Sequence, residues 1–477
     1  MTGHRWLQRL LIVVALCGLS SSACAAKPNI VFVLFDDLGY GQPANYRAET
    51  TFRMPHFEQL ARDGMRFTDA HSASAVCTPT RYGVLTGRYP SRIGQFGVCT
   101  TYSPPIIPTS RLTVASFLKQ AGYETACVGK WHLGWNWVDG KPGQQNKVPI
   151  GAKLTDGPNA LGFDYFYGFT HARNIGTIIE QDTVVANVEA VENQPLMISK
   201  AVDWIDERAG SDKPFFLYFP MCPPHTPIAP SPEFLGRSGA KDRVGKDPKY
   251  GDWILQGDAM LGQLLDALKR NGFADNTLVI ATSDNGAEHR EYPPLRESKR
   301  SIYEGGHRVP FVARWPGKVA AGSTCDATVC LNDLMATAAA VIDETLPVDA
   351  AEDSVSMLDL LTGDATVTRR EATVHQSMRG DLAIRRGDQK LIFFRDGRRE
   401  LYNLAADLSE TSNKAGAQRE TVKQLTSLMQ RYIDDGRSTP GKAQSNDFPL
   451  SLKPAAGKKK PKKKNQKKAK APQAASS

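Results

Sequence analysis

Short, continuous apolar runs alternate along the chain with longer stretches whose apolar residues recur every three or four positions. Asn29-Ile-Val-Phe-Val-Leu-Phe35 is uninterrupted and β-branched, the pattern of a strand buried on both faces. Tyr123 to Val128, Lys213 to Phe219 and Asn276 to Thr282 read the same way. Among them, Pro55 to Phe67, Arg111 to Ala121, Leu196 to Ala209 and Asp252 to Arg270 are read as helices, the first opening on proline. Strands separated by helices predict an α/β fold, a large and mostly parallel sheet with helices on both faces. After about Asp364 the texture changes. Leu382 to Arg386, Lys390 to Arg395 and Glu400 to Leu404 read as short strands joined by Gly and Asp turns, and Thr421 to Asp434 as a helix. That predicts a small C-terminal antiparallel sheet with a closing helix. The expected division is a leader at 1–26, an α/β domain at 27–363, a small α+β subdomain at 364–436 and a disordered, lysine-rich tail at 437–477.

The length of 477 residues suits one large α/β unit with an appendage. Its first residues run through Arg5 and Arg9 into the apolar stretch Leu10 to Leu19, then into small residues ending Ala23-Cys24-Ala25-Ala26. This is the pattern of a cleaved secretory signal peptide, so a secreted or periplasmic protein is expected. Lipid attachment through Cys24 fits less well, because Ser21 stands where a branched apolar residue is usual. The apolar core is too short to span a bilayer, and no later segment reaches the roughly 18 uncharged residues that a span needs. Six cysteines follow the leader, too few for a disulfide scaffold in a chain of this size, although Cys325 and Cys330 are near enough in sequence to pair. The net charge of +9 equals the nine lysines between Gly457 and Lys470, so the rest of the chain is balanced. A nucleic-acid-binding body is therefore not implied, and any pull toward polyanions belongs to the tail.

In an open parallel sheet, ligands bind beyond the carboxyl ends of the strands. Four predicted strand ends deliver polar groups there: Asp36-Asp37, then Lys130 with His132, then His225, then Asp284-Asn285. Asp36, Asp37, Asp284 and Asn285 offer only oxygen, with three negative charges. Such a set suits a hard divalent cation, most naturally calcium, and does not suit zinc, which favours His and Cys.

Cys77-Thr78-Pro79-Thr80-Arg81 is the most informative pentapeptide. Thr78 and Pro79 read as an N-cap and first helical position, which places Cys77 just ahead of a helix ending at Gly87. A helix start offers free amides and positive dipole to an anion, and Arg81 adds a permanent charge one turn in. As a plain thiol, Cys77 could be a low-pKa nucleophile or a small buried residue.

The Cys-x-Pro-x-Arg core, followed by Leu85-Thr86-Gly87-Arg88, resembles the signature of the formylglycine-dependent sulfatases. The likeness extends to Phe35–Gly41, Gly129–Gly134, Pro224–Pro227, Ser283–Gly286, Tyr303–Gly306 with Arg308-Val309-Pro310, and Leu401–Leu404 with Glu410 and Asn413. It spans roughly Pro28 to Asp434 and implies the alkaline-phosphatase-like α/β fold. It also implies that a maturation enzyme converts Cys77 to formylglycine (3-oxoalanine), and that Asp36, Asp37, Asp284, Asn285 and modified Cys77 hold calcium. By the same resemblance Arg81 and Lys130 position the aldehyde hydrate, and Lys130 with Lys299 neutralises sulfate. Lys299 stands four residues before Tyr303, the family's spacing. His225 would protonate the leaving alcohol, and His132 would help to break down the enzyme-bound sulfate.

The expected function is hydrolysis of sulfate monoesters on a carbohydrate, with a lean to a galactose-type 6-sulfate from overall likeness. A rim of Trp131, Trp135, Trp137, His171, Arg173 and Asn174 fits sugar stacking. His56, His71, His289 and His307 read as packing or surface residues. Two alternatives stand beside this reading. One is a phosphonate or phosphate ester hydrolase of the same superfamily; the other is a non-catalytic binder of sulfated glycans, should Cys77 stay unoxidised.

Overall fold

The structure is a computed structural model that describes residues 27–239 and 248–453. The signal-peptide segment and the lysine run from Lys458 to Lys470 lie outside the described residues. A ten-stranded mixed sheet forms the body. Its order is Ser323–Cys325, Met65–Phe67, Phe311–Arg314, Thr277–Ser283, Asn29–Asp36, Phe215–Pro224, Glu124–Lys130, Tyr165–Phe169, Thr177–Glu180 and Thr183–Asn187. The five strands from Thr277–Ser283 to Tyr165–Phe169 are parallel, and antiparallel pairings appear toward both edges.

The first strand shows how continuous hydrophobicity becomes two layers. Alternate side chains point to opposite faces, so Ile30, Phe32 and Leu34 join one core while Val31, Val33 and Phe35 join the other. Helices Cys77–Thr86, Val114–Gln120 and Leu334–Val341 cover the first face; Pro55–Arg62, Ala190–Asp206 and Tyr250–Arg270 cover the second. The predicted helix from Pro55 to Phe67 is shorter than expected. It stops at Arg62, and Met65–Phe67 pairs antiparallel with Phe311–Arg314. Gly64 is the reason for the break, because a Cβ there would lie 2.2 Å from the Ala313 carbonyl. Cys325 and Cys330 end two different strands, Ser323–Cys325 and Val329–Cys330, and both are free thiols.

The C-terminal sheet has four antiparallel strands: Thr373–Gln376, Leu382–Arg386, Gln389–Phe393 and Arg399–Asn403. Helix Arg419–Asp434 closes it, burying Leu425, Leu428, Met429, Tyr432 and Ile433 on its apolar stripe. Thr373–Gln376 was not among the predicted strands.

Disorder does not begin at Arg437. Residues 437–453 run back across the body, where the Asp447 and Phe448 amides both donate to the Arg92 carbonyl at 2.9 Å. Arg88 donates to Asp447 and to the Ser445 carbonyl, each at 2.7 Å. Composition misled because this polar segment answers the demand of two buried guanidiniums for acceptors, while Phe448 packs on Phe96 and Leu450 and Leu452 pack against the small C-terminal core. Arg92 is further held by a two-bond fork to Asp353, both contacts at 2.7 Å with both residues buried. Asp353→Ala strands that charge and is expected to cost about 3–5 kcal/mol of stability, read from denaturant unfolding. A loss under about 1 kcal/mol would mean that the pair counts no more than a surface one.

Candidate active site

Four parallel strands end side by side and deliver the predicted residues to one place. Asp36 ends its strand, Lys130 ends the next but one, His225 follows the strand between, and Asp284 and Asn285 follow Thr277–Ser283. Gly129 allows the bend into Lys130. Its φ is 131°, and a Cβ would meet the Pro220 carbonyl at 2.2 Å. Asp37 and His132 also sit at positive φ, 71° and 61°, so two polar residues of the site hold a backbone form that side chains disfavour.

Cys77 opens the helix itself. Val76 is the N-cap, and the helix runs to Thr86, closed by Gly87 in the left-handed region at φ 65°. Thr78 is therefore not the cap that sequence suggested. Its hydroxyl donates to the His132 carbonyl at 2.9 Å and accepts from the Cys99 amide at 3.0 Å, tying the helix to two loops. Burial pushes the Cys77 thiol up, more than Lys130 and Lys299 pull it down. A low-pKa thiolate is not what this position supplies.

The acids are buried and paired. Lys130 donates to Asp36 Oδ2, Lys299 donates to Asp37 at 2.7 Å, and Arg81 donates to Asp284 Oδ2 at 2.7 and 3.2 Å. Burial and the neighbouring Asp36 carboxylate push Asp284 up to about 7. Burial alone would raise Asp36 too, but Lys130, His225 and Arg81 hold it well below the usual carboxylate range. Burial lowers Lys130 and Lys299 in turn, and Asp36 and Asp37 more than restore them, so both stay ammonium ions.

Two oxygens have no hydrogen bond although they are buried: Asp36 Oδ1 and Asn285 Oδ1. Asn285 spends its amide on Asp37 Oδ1, 2.7 Å away, which leaves its carbonyl oxygen free. Ligand atoms of Asp36, Cys77 and Asp284 lie within 4.8 Å of one another. Orphaned buried oxygens beside crowded carboxylates are what a hard cation would satisfy, so the residues fit such an ion.

The histidines differ. His132 donates Nε2–H to the Cys99 carbonyl at 2.9 Å, and its Nδ1 is buried without a partner. Burial and Lys130 hold it neutral, well below 6.5. It therefore presents a lone pair, the form of a base. His225 donates Nδ1–H to the Thr226 carbonyl and leaves Nε2 3.7 Å from Asp37 Oδ2, partly exposed to the cavity.

A cavity of about 350 Å³ opens over Cys77, Lys130, His132, His225 and Lys299. Its rim holds Gln145, His171, Arg173, Glu288 and Arg300. Glu288 and Arg300, which pair with each other, were missed in the sequence; closeness in sequence to Asn285 and Lys299 was the only signal. The expected tryptophan rim is not there. Trp131, Trp135 and Trp137 are all at most 7% exposed and pack in the core, and Asn174 is buried as well. Sugar stacking was the reason to expect them at the rim, whereas Trp131 packs on Phe163, and Trp135 on Phe166 and Trp137.

Buried ammonium groups lining a cavity, with a helix start beneath them, suit a class of protein that takes an anionic group. Comparison with known proteins narrows the class. The Sulfatase family model matches residues 28–344. An N-acetylgalactosamine-6-O-sulfatase of Bacteroides thetaiotaomicron is 32% identical, covering 85% of this chain and 93% of its own. Human arylsulfatase A is 34% identical, covering 82% and 78%. A solved structure concerned with the metabolism of multiple glycosaminoglycans by Bacteroides thetaiotaomicron superimposes with a TM-score of 0.76 at 30% identity, covering 85% of this chain and 99% of the other. This chain belongs to the sulfatase family and is a sulfatase. Among the described residues, no helix is long and apolar enough to cross a membrane.

Proposed function

We propose that the enzyme is exported and removes sulfate from a sulfated carbohydrate, with a formylglycine made from Cys77 by a maturation enzyme as nucleophile and calcium as cofactor. The observation that carries the reading is the pair of orphaned buried oxygens, Asp36 Oδ1 and Asn285 Oδ1, beside a cysteine that starts a buried helix. When present, the modified side chain supplies a hydrated aldehyde, one hydroxyl to attack sulfur and a second whose deprotonation releases sulfate. Asp36, Asp37, Asp284, Asn285 and position 77 would hold calcium, which supplies positive charge to the sulfuryl oxygens.

The chain's own residues do the rest. Arg81, buried and anchored on Asp284, fixes the base of the nucleophile helix and faces position 77 with permanent charge. Lys130 and Lys299 approach from two sides as ammonium ions and offset charge gathering on the sulfate. His132, neutral with Nδ1 open, accepts a proton during release of sulfate. His225 gives its proton to the departing alcohol. A galactose-type 6-sulfate is the favoured substrate. Support comes from the relative that acts on N-acetylgalactosamine-6-O-sulfate and from the polar rim of a cavity the size of ordinary small-molecule sites.

Dialysis against a strong chelator is expected to abolish turnover of nitrophenyl sulfate, and calcium to restore it. Asp284→Ala is expected to lower bound metal, measured by elemental analysis. Zinc held through nitrogen ligands, or faster turnover of aryl phosphate than aryl sulfate, would sink the reading.

A further inference from the structure

Outside the catalytic cavity, a dense cluster of titratable groups lies where the small C-terminal sheet meets the α/β body. His71, His307 and His375 are all fully buried there, drawn from three distant parts of the chain. Their composition suggests a metal site, but their geometry does not. The rings of His307 and His375 lie flat on each other, centroids 4.0 Å apart and planes 11° apart. Ring-nitrogen lone pairs lie in the ring plane, so two stacked imidazoles do not aim at one point. The Lys390 ammonium also stands 3.1 Å from His307 Nε2, where it repels a dication.

The cluster reads instead as a buried polar network that joins the two parts of the protein. The Lys390 ammonium donates to Glu304 at 3.0 Å, pairs with Glu410 at 2.8 Å and lies 3.1 Å from His307 Nε2, which is also 3.1 Å from the Ile302 carbonyl. His307 Nδ1 and His71 Nδ1 are 3.1 Å apart, and His71 Nε2 lies 2.8 Å from Asp69 and 3.1 Å from the Arg385 guanidinium. His375 stands apart in one respect. Nδ1–H donates to the Ser72 carbonyl at 3.2 Å, while Nε2 has no partner at all. Leaving a buried ring nitrogen unpaired is costly, and an apolar ring would fill the same space without that cost. What histidine offers here is the Nδ1 donor.

That donor acts on the segment entering the nucleophile helix. Ser72 to Val76 is clamped on one side by the C-terminal strand, with the Gln376 amide donating to the Ala73 carbonyl and the Ala75 amide to the Gln376 carbonyl, each at 3.1 Å. On the other side the Arg300 amide donates to the Ala75 carbonyl at 2.7 Å, and the Met378 amide to the Arg300 carbonyl at 3.1 Å. The segments that carry Lys299 and Cys77 are thereby tied directly to each other and both to residues 376–378. We propose that His375 is a positioning residue, which sets the Ser72–Val76 turn and so makes the C-terminal sheet part of the apparatus that aims position 77.

The inference rests on position 77 carrying the nucleophile, so Cys77→Ala is measured beside the test variants. Two substitutions at 375 separate positioning from stability. His375→Phe keeps a stacked ring and removes the donor; His375→Asn keeps a donor near the Nδ1 position and removes the ring. With nitrophenyl sulfate, and per mole of aldehyde, kcat of the Phe variant is expected to fall ~10-fold with KM unchanged, as for a misaimed reacting group. The Asn variant is expected to keep kcat within about twofold of wild type, although its Tm falls further than that of the Phe variant. Wild-type kcat in the Phe variant, a loss in the Asn variant as large as that expected for Phe, or kcat that follows Tm across the pair overturns the proposal. Activity surviving Cys77→Ala sinks the nucleophile reading as well, which distinguishes the two failures.

Discussion

Cys77→Ala is expected to lower turnover of any sulfate ester by ~10⁴-fold or more, the scale on which removal of a covalent nucleophile falls. The fold is expected to survive, because Cys77 is 2% exposed at the start of a helix held by Arg81, Thr78 and Thr80, none of which uses the thiol. The active wild-type protein is expected to give a peptide covering position 77 lighter by the difference between thiol and aldehyde. The site supplies a reason to expect the modification. Burial raises the thiol's pKa, so an unmodified Cys77 would meet substrate as a neutral and poorly nucleophilic group. Full activity from protein whose Cys77 peptide is wholly unmodified would overturn the mechanism.

Much of this arrangement could be read before any coordinates. The sheet was legible because strands buried on both faces leave continuous apolar runs, and Asn29–Asp36, Glu124–Lys130, Phe215–Pro224 and Thr277–Ser283 are the four innermost examples. Their ends place Asp36, Lys130, His225 and Asp284 together for a topological reason, since parallel neighbours finish on the same side. The outer strands Thr177–Glu180 and Thr183–Asn187 were not legible. Thr177–Glu180 is buried but only four residues long, and Thr183–Asn187 is mostly half-exposed with a mixed pattern that resembles loop.

The illegible parts share a cause, which is that burial was decided by partners far away in sequence. Met65–Phe67 continues the helical spacing of Pro55–Arg62, and only its register with Phe311–Arg314 makes it a strand. Trp131 and Trp135 look like a sugar platform until Phe163 and Phe166 are placed against them. His307 reads as packing or surface from its neighbours alone. In the fold it is a buried link between Lys390 and His71, 83 residues on and 236 residues back. Residues 437–453 read as too polar to order because the guanidiniums of Arg88 and Arg92, which hold them, lie some 350 residues earlier.

His225→Ala is expected to separate substrates by leaving group. A sugar alkoxide departs badly without a proton, whereas nitrophenolate leaves almost unaided, so general-acid help counts far more for the carbohydrate. Sugar-sulfate hydrolysis is expected to fall ~10²–10⁴-fold, and nitrophenyl sulfate hydrolysis much less. The geometry fits an acid: Nδ1–H is spent on the Thr226 carbonyl, so Nε2 is the nitrogen that turns to the cavity. Nε2 must then take up a proton before each turnover, and its position 3.7 Å from Asp37 Oδ2 favours the protonated ring. Burial and Lys299 act against this, and they hold the free ring below its ordinary value of 6.5. A proton held that loosely is easily given up to a leaving oxygen, which is what the acid needs. The comparison requires kcat/KM for both esters in the same variant. Equal losses on the two would assign His225 to binding the sulfate, since a contact with the common group weakens both substrates alike.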